Sequence, residues 1–219
     1  GAELAWLANE VNTGKNSLCA VLTDNIDLGN QEWTPIGNSS NQYRGTFDGA
    51  GFTITGLSIN QAEETHQGLF GYVFDATITN LAVEGAVTGG GAATTGGVGG
   101  LVGSFGGTYG KSGLIENCVS NVTVIGKYNV GGIVGFITSN SDKLIQNCTN
   151  LGSVTANNSA GGLVGQFYSK GTVRNCYNRG DVAAVVSKAG GIAGYMDSYT
   201  AIVENCYTSG AVSGSDSGS

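Results

Sequence analysis

The sequence predicts an all-β fold, a right-handed parallel β-helix (solenoid) of about seven coils with a short N-terminal capping helix. Three observations support this prediction. A Gly-apolar-apolar-Gly tetrad recurs five times, two further short motifs recur behind the tetrads, and Gly supplies 39 of the 219 residues while Pro occurs once. Recurrence at a period of about 20–50 residues is typical of solenoids and related repeat folds. A helical bundle is disfavoured, because each Gly in a helix interior costs about 1 kcal/mol relative to Ala.

The amino end of the sequence predicts the capping helix. Apolar residues recur there at helical spacing, at Leu4, Leu7, Ala8 and Val11. An uncapped β-helix exposes unpaired strand edges and an apolar cross-section, and a helix at this end would cover both. Cys19 follows in an apolar run, and we expect it to pack beneath the cap.

The tetrads begin at intervals of 32, 32, 30 and 29 residues. They occupy residues 68–71, 100–103, 132–135, 162–165 and 191–194. The Gly residues that flank each tetrad are expected to take positive φ, which would let the chain turn tightly at the corners of a coil.

A segment that contains Asn follows each tetrad, with the Asn at Asn80, Asn117, Asn147, Asn175 and Asn205. A Gly-x-Val segment then follows in four of the five repeats. Val, Ile and Thr are frequent in these segments, which favours strands, and three short strands per repeat predict a triangular coil. We expect the Asn side chains to stack as a ladder of amides that hydrogen-bond from coil to coil.

Alignment of the repeats places seven residues in one interior column: Ile26, Leu57, Leu81, Cys118, Cys148, Cys176 and Cys206. Each coil then buries its apolar side chains against the next, and parallel ladders about 4.8 Å apart pair the backbone groups. We accordingly expect residues 1–17 to be the cap, residues 18–212 the β-helix, and residues 213–219 a Ser/Gly-rich tail or truncated linker.

The four cysteines of this column predict buried free thiols. A spacing of about 4.8 Å between parallel side chains exceeds the Cβ separation of about 3.5–4.5 Å that a disulfide needs. Leu57 and Leu81 share the column, which indicates that the position accepts an ordinary hydrophobic residue. The sequence has no Cys-x-x-Cys pair, so no metal site is predicted.

The sequence predicts no catalytic and no cofactor-binding residues. His66 is the single histidine and no Gly-x-Ser-x-Gly elbow accompanies it, although a Ser-His-Asp arrangement around it stays formally open. One column of outward-facing positions is expected to contain neutral, acidic and basic side chains, at Thr79, Glu116, Gln146, Arg174 and Glu204. This column has no repeated carboxylate pair, and Arg174 is expected to form a surface ion pair with Glu204.

Tyr177 and Tyr207 are a candidate ligand-binding surface. Each follows a column Cys, so strand alternation turns the Tyr outward if the Cys points inward. Exposed stacked aromatic rings suit sugar rings or a protein partner. The alternative is that the two rings pack on neighbouring loops as a cross-strand pair. The Gly-rich insert at residues 89–97 is the other place where a binding loop could emerge.

Charge and hydropathy exclude two classes of partner. The net charge is −7 and the nine Lys and Arg residues are scattered singly, so a footprint for nucleic acid or for an anionic membrane is absent from the sequence. No apolar run approaches the roughly 18 residues that a membrane span needs.

The repeats resemble those of the GLUG-motif proteins of bacterial cell surfaces. The Gly-Leu-Val-Gly, Asn-Cys-Tyr-Asn and Gly-x-Val elements carry the resemblance, most closely at residues 162–182. Residues 33–37 and 45–54 resemble the leader that precedes such repeats. Leu81 departs from the pattern because it replaces the Cys, and residues 89–97 depart by their length. Similar repeats also occur in accessory regions of immunoglobulin-A-cleaving zinc endopeptidases.

The resemblance implies a non-catalytic extracellular repeat module on the bacterial cell surface, with a scaffold or adhesion role. Its expected partners are host or matrix glycans or proteins, and neighbouring domains of a longer surface protein. The alternative is a carbohydrate-active β-helix enzyme, either a polysaccharide lyase or a hydrolase. A groove with two carboxylates roughly 5–10 Å apart would favour that alternative.

Overall fold

The computed structural model describes residues 1–90, 95–138 and 141–215. Within these residues one helix, α1 (Ala2–Asn12), precedes 26 short strands. The first eleven strands are β1 (Ala20–Val21), β2 (Ile26–Asp27), β3 (Thr46–Asp48), β4 (Thr53–Asn60), β5 (Phe70–Phe74), β6 (Thr77–Thr79), β7 (Ala82–Gly89), β8 (Val98–Gly99), β9 (Val102–Gly106), β10 (Ser112–Glu116) and β11 (Val119–Gly126). The next ten are β12 (Val130–Gly131), β13 (Val134–Ile137), β14 (Asp142–Gln146), β15 (Thr149–Asn150), β16 (Val154–Ala156), β17 (Ser159–Gly161), β18 (Val164–Phe167), β19 (Gly171–Arg174), β20 (Tyr177–Asn178) and β21 (Val182–Ala184). The last five are β22 (Lys188–Gly190), β23 (Ala193–Met196), β24 (Ala201–Glu204), β25 (Tyr207–Thr208) and β26 (Val212–Gly214).

The strands form a parallel β-solenoid of about six turns, which confirms the predicted fold class. One sheet runs β1-β3-β6-β10-β14-β19-β24, and we call it the first sheet. The second runs β2-β4-β7-β11-β15-β20-β25 and also takes in β16, β21 and β26. Two smaller sheets run β8-β12-β17-β22 and β5-β9-β13-β18-β23. Successive strands in each sheet come from successive coils, so each coil stacks directly on the previous one.

The tetrads divide each full coil into four strands, so the predicted triangle of three strands is wrong in detail. In the fourth coil, β8 ends at Gly99 and β9 begins at Val102, and the first half of the tetrad forms the bend between them. The tetrad is therefore a corner between two short strands, and its two apolar residues are both buried.

The bends use Asn, and not the tetrad Gly, for positive φ. Asn80, Asn117, Asn147, Asn175 and Asn205 all have φ between 51° and 55°. None of the ten tetrad glycines, all of which the structure describes, lies in the left-handed region. The expectation that the tetrad glycines take positive φ is therefore wrong. Asn tolerates left-handed backbone because its short side chain can hydrogen-bond locally.

The tetrad glycines are needed for close approach between coils. A Cβ at Gly132 would lie 2.3 Å from the carbonyl oxygen of Gly162 and 2.3 Å from Cγ of Asn150. A Cβ at Gly162 would lie 2.1 Å from the carbonyl oxygen of Gly191. Neither position has space for a side chain.

The strand register confirms that the four Cys residues form one column, but it changes the residues that were predicted for this column in the early coils. Gln146 pairs with Glu116 and with Arg174, and Arg174 pairs with Glu204, so the flanking residues of the Cys column are level. In the early coils, however, Ile26 pairs with Ile54, and Leu57 pairs with Gly85 after a register shift. The register therefore places Phe52, not Leu57, level with Leu81, and it places Ile26 level with Val83, so Ile26 and Leu57 do not belong to the column. A bulge in β4 shifts the pairing by one residue beyond Ile54.

The predicted capping helix is confirmed. Leu4, Leu7, Ala8 and Val11 are buried against the first coils. Asn12 ends the helix and ties it to the next segment. Its Nδ2 donates to the carbonyl oxygen of Pro35 at 3.0 Å, and its Oδ1 accepts from the N–H of Gly37 at 2.9 Å.

Cys19 is exposed, and the expectation that it packs beneath the cap is wrong. The inward positions of this short segment belong to Leu18, Ala20 and Leu22, which pack on the core. Strand alternation then turns Cys19 outward.

Two sequence predictions concern residues that lie in part outside the described ranges. The insert at residues 89–97 has its central four residues there, and the tail at residues 213–219 has its last four there.

Candidate functional site

Tyr177 and Tyr207 form a stacked pair on the outside of the second sheet. Their rings lie 5.3 Å apart between centroids at 9°, and the two residues pair directly as neighbours in β20 and β25. The guanidinium carbon of Arg179 lies 5.3 Å from the centre of the Tyr177 ring. Cys176 is buried beside them, as strand alternation requires.

The two rings lie in a column of outward positions on the second sheet. The ring of Tyr177 has Tyr207 on one side, and its own strand neighbour on the other side is Thr149. Tyr207 is 55% exposed. The geometry is therefore that of a cross-strand pair, with the Arg179 side chain near the Tyr177 ring.

The column cysteines are free thiols that contact backbone carbonyls at the bends. Sγ of Cys176 lies 3.1 Å from the carbonyl oxygen of Arg174 in its own coil and 3.7 Å from that of Ile145 in the preceding coil. The same double contact recurs at Cys118, Cys148 and Cys206. A thiol is a weak donor that satisfies such carbonyls while filling an apolar position.

The ionisation of these thiols follows from their neighbours. Hydrogen bonding of the Cys148 thiol, as donor, to Cys118 and Cys176, together with burial, raises the pKa of Cys148. Burial raises the pKa of Cys206. Within the part of the chain that the structure describes, no group of three or more His, Cys, Asp or Glu side chains could hold a metal ion.

His66 contacts a serine that the sequence analysis did not single out. Its Nδ1 lies 2.7 Å from Oγ of Ser104, and the N–H of Gly97 donates to the same oxygen at 3.3 Å. The imidazole stacks on Tyr72 at 4.8 Å and 17°, and burial lowers the pKa of His66. Among the described residues no carboxylate is hydrogen-bonded to His66.

This His–Ser contact lacks the access that a nucleophile needs. Ser104 is fully buried, so its Oγ cannot reach a substrate. No sequence signal identifies it, because Ser104 lies 38 residues from His66 and its neighbours in the sheet are Tyr72 and Phe136.

The outward column of the first sheet has the predicted register but not the predicted ion pair. Arg174 donates from Nε to Oε1 of Gln146 at 2.8 Å, and Gln146 in turn donates to Glu116. The ion pairs of the described residues do not include Arg174 with Glu204. A neutral amide in the preceding coil takes the place of the predicted carboxylate.

Comparison with known proteins agrees with this architecture. Residues 156–183 match the GLUG motif. A crystal structure from Bacteroides ovatus, provisionally named as an immunoglobulin A1 protease, has the same fold, with a TM-score of 0.68 at 20% identity. The alignment covers 93% of this chain and 81% of that one.

Two curated proteins also share sequence with this chain. Halomucin of Haloquadratum walsbyi is 36% identical over 173 residues, which are 78% of this chain and 2% of the relative. A protein of Evansella cellulosilytica, provisionally named as a Gly-rich membrane protein, is 37% identical over 65 residues, 29% of this chain and 8% of the relative. The chain thus spans only a small part of either relative.

Among the described residues, no helix has the length and apolar character needed to cross a lipid bilayer. The matched motif runs from the last residue of β16 into β21, and the residue columns of that coil continue into the coils on either side. Residues 156–183 of this chain thus carry a GLUG motif within a parallel β-solenoid.

Proposed function

We propose that this chain is a non-catalytic repeat module of a large extracellular surface protein, with a scaffold and adhesion role. The observation that carries the proposal is the uninterrupted parallel stacking of every coil on the next. The small share of each curated relative that the chain covers also supports a modular role. The names of these relatives, halomucin and a membrane protein, favour a place at the outside of the cell.

The mechanism follows from the geometry of the solenoid. Each coil advances the structure by about 4.8 Å and adds a complete set of backbone hydrogen bonds to the previous coil. Such a column resists bending and presents its side faces to partners. In this role the module holds neighbouring domains away from the cell and offers its faces to host or matrix glycans or proteins.

The alternative of a carbohydrate-active enzyme has less support. Asp75 and Asp142, which line two adjoining clefts at the edge of the first sheet, both have partners. Asp75 accepts from the N–H and the hydroxyl of Thr108 at 2.8 Å each, and Asp142 forms an ion pair with Lys170. General acid–base catalysis instead needs a carboxylate free to exchange a proton with the substrate.

The proposal is tested on cells that make the full-length protein. Antibodies against this module should label intact cells, and deletion of the module should reduce adhesion to glycan-coated or protein-coated surfaces while the rest of the protein is still exported. Labelling only after lysis would overturn the surface role. Release of new reducing or unsaturated sugar ends from a polysaccharide panel would support the enzyme.

The stacked pair of Tyr177 and Tyr207 is the candidate contact surface for this adhesion. Its support is the exposure of the Tyr207 side chain and the Arg179 cation near the Tyr177 ring. Tyr207→Ala should abolish any glycan-array signal of the purified chain that this surface carries. Trp6→Ala, which removes an exposed aromatic side chain from the opposite end of the solenoid, is the control.

A further inference from the structure

Most cations of this acidic protein line one corner of the solenoid, where successive coils enter the first sheet. We call this region the basic corner and define it by Arg44, Lys111, Lys143, Lys170 and Arg174. These are five of the nine Lys and Arg residues in the chain. Except for Lys170 and Arg174, which are four residues apart, they are distant in the sequence, and the stacking of coils brings them together.

Two clefts make up the basic corner. One has a volume of about 510 Å³ and includes Arg44 and Lys111 in its wall. The other has a volume of about 320 Å³ and includes Lys143, Lys170 and Arg174. Both clefts include Ser112, so they adjoin each other along the solenoid.

The charge of the basic corner opposes that of the rest of the chain. Its five cations and two carboxylates, Asp75 and Asp142, sum to +3 (5 − 2). The whole chain carries −7, so the remainder carries −10 (−7 − 3). An isolated positive cleft on an acidic molecule concentrates small or flexible anionic ligands at that position.

The cations are spaced along the axis of the solenoid. Ser112, which follows Lys111, pairs with Asp142, and the next coil brings Lys170 to the start of β19. Lys111 and Lys170 are therefore two coils apart, at about 10 Å along the axis. This arrangement suits a linear ligand that carries an acidic group at regular intervals.

Two exposed tyrosines accompany the exposed lysines. Tyr109 is 88% exposed and precedes Lys111 by two residues. Tyr168 is 59% exposed, precedes Lys170 by two residues, and has its ring centre 5.9 Å from that of Phe136 in β13. The Tyr109 hydroxyl is also close enough to Lys170 to add to the pKa rise that Asp142 causes there. Aromatic faces beside cations suit sugar rings that carry acidic groups.

Lys143, the buried lysine of the basic corner, adds positive charge to the cleft but is not accessible for direct contact with a ligand. Lys143 is 2% exposed, and its Nζ donates to the carbonyl oxygens of Ser141 at 3.0 Å and Lys170 at 3.4 Å. Burial lowers the pKa of Lys143 to about 8, so the ammonium form still predominates at neutral pH.

We propose that the basic corner binds an acidic polysaccharide, whose carboxylate or sulfate groups pair with Lys111 and replace Asp142 in the exposed ion pair with Lys170, and whose sugar rings stack on Tyr109 and Tyr168. The proposal goes beyond the scaffold role and uses a different face from the Tyr177–Tyr207 pair. A nucleic acid is disfavoured as the ligand, because its dense phosphates would meet the charge of −10 on the surrounding surface.

The test measures binding of the purified chain to polygalacturonate, dextran sulfate, neutral dextran and single-stranded DNA, at low and high salt. Binding to an acidic polysaccharide at low salt, weakened by high salt, is expected, with none to neutral dextran. Polygalacturonate and dextran sulfate distinguish a carboxylate ligand from a sulfate ligand. Lack of binding to both, or equally tight binding of DNA, would overturn the proposal.

Matched variants locate the site. Lys111→Ala with Lys170→Ala should lower the affinity about tenfold, because two charged contacts are lost. The control, Lys15→Ala with Lys188→Ala, removes the same charge from exposed lysines elsewhere and should change the affinity less than about twofold. Equal losses in both double variants would show a net-charge effect and contradict the site.

The aromatic contribution has its own pair of variants. Tyr109→Ala with Tyr168→Ala should weaken binding of the acidic polysaccharide, whereas Tyr177→Ala with Tyr207→Ala should not. Unfolding curves that match the unaltered chain would show that the exposed substitutions leave the fold intact. An unchanged affinity in the first double variant would contradict the stacking role of these rings.

Discussion

The Asn residue at each bend combines a backbone role with a side-chain role. Its φ lies in the left-handed region, where most residues are strained. Its amide also contacts the next coil: Asn117 donates to Asn80 at 3.1 Å, and Asn205 donates to Asn175 at 3.3 Å. The predicted amide ladder is confirmed at these two steps. Asn80 in turn donates to Asp48 at 3.0 Å, which extends the ladder by one coil.

Substitution at Asn117 should separate the two roles. Asn117→Gly keeps the left-handed conformation and loses only the amide contact, whereas Asn117→Ala loses both and should cost about 1 kcal/mol more in the free energy of unfolding. Urea denaturation measures the difference. Asn121→Ala, on the exposed face of the following strand, is the control. Equal costs for the Gly and Ala variants would contradict the backbone role.

His66 should make stability depend on pH. Burial lowers its folded-state pKa below the ordinary value of 6.5, so near that pH the unfolded chain binds more protons than the folded one. The contribution of the neutral imidazole is therefore complete above pH 6.5 and is lost as the pH falls towards the lowered folded-state pKa. Thermal unfolding at several pH values should show this loss, and His66→Asn, which tolerates the positive φ of that position, should remove it.

The thiols should differ in reactivity with an aromatic disulfide reagent. Cys19 is exposed and should react first. Cys206 is half-buried with a raised pKa and should react slowly, because the thiolate is the nucleophile. Cys118, Cys148 and Cys176 should react only on unfolding. Fast reaction of more than one thiol in the folded chain would show that the column is accessible.

At the scale of elements, the tetrad is a corner where neighbouring coils meet by direct backbone contact. The two apolar residues of each tetrad face the core, and the flanking Gly residues lie against backbone of the next coil. Gly is recurrent there because any side chain would separate the coils. The strands on either side are short because the bend interrupts them.

Gly132→Ala tests this interpretation. The added Cβ would lie 2.3 Å from atoms of two neighbouring coils, so we expect a loss of about 3 kcal/mol in the free energy of unfolding. Gly51→Ala is the control, because its Cβ would meet nothing within 4 Å and only its φ of +84° resists substitution, at about 1 kcal/mol. Denaturant titration of both variants gives the comparison. A larger loss for Gly51→Ala would contradict the close-approach argument.

At the scale of the whole molecule, the two ends of the solenoid differ. Helix α1 covers the first coils, whereas the last described coil exposes side chains that are interior elsewhere. Val203 is 37% exposed, although Val173, its neighbour in the preceding coil, is fully buried. Stability in a solenoid is nearly a sum over adjacent coils, so a coil with one neighbour is less stable than a coil with two.

Hydrogen exchange of this chain should therefore show a gradient along the axis. Amides of β11, β13 and β14 have coils on both sides and should exchange most slowly, and amides of β24 to β26 should exchange first. Mass spectrometry of peptide fragments resolves these regions. Uniform protection across all coils would instead indicate that the solenoid opens only as one cooperative unit.

The repeat pattern was sufficient for the coil length, the parallel stacking and the Cys column, because each of these depends on contacts between equivalent residues of adjacent coils. The helical spacing of apolar residues at the amino end was sufficient for the capping helix. The four-strand coil, the β4 bulge, the exposed Cys19 and the contact between His66 and Ser104 became clear only in the tertiary structure. So did the convergence of Arg44, Lys111 and Lys170 at one corner. These features depend on where bends and loops of unequal length place side chains, and a periodic pattern contains no information on those irregular distances.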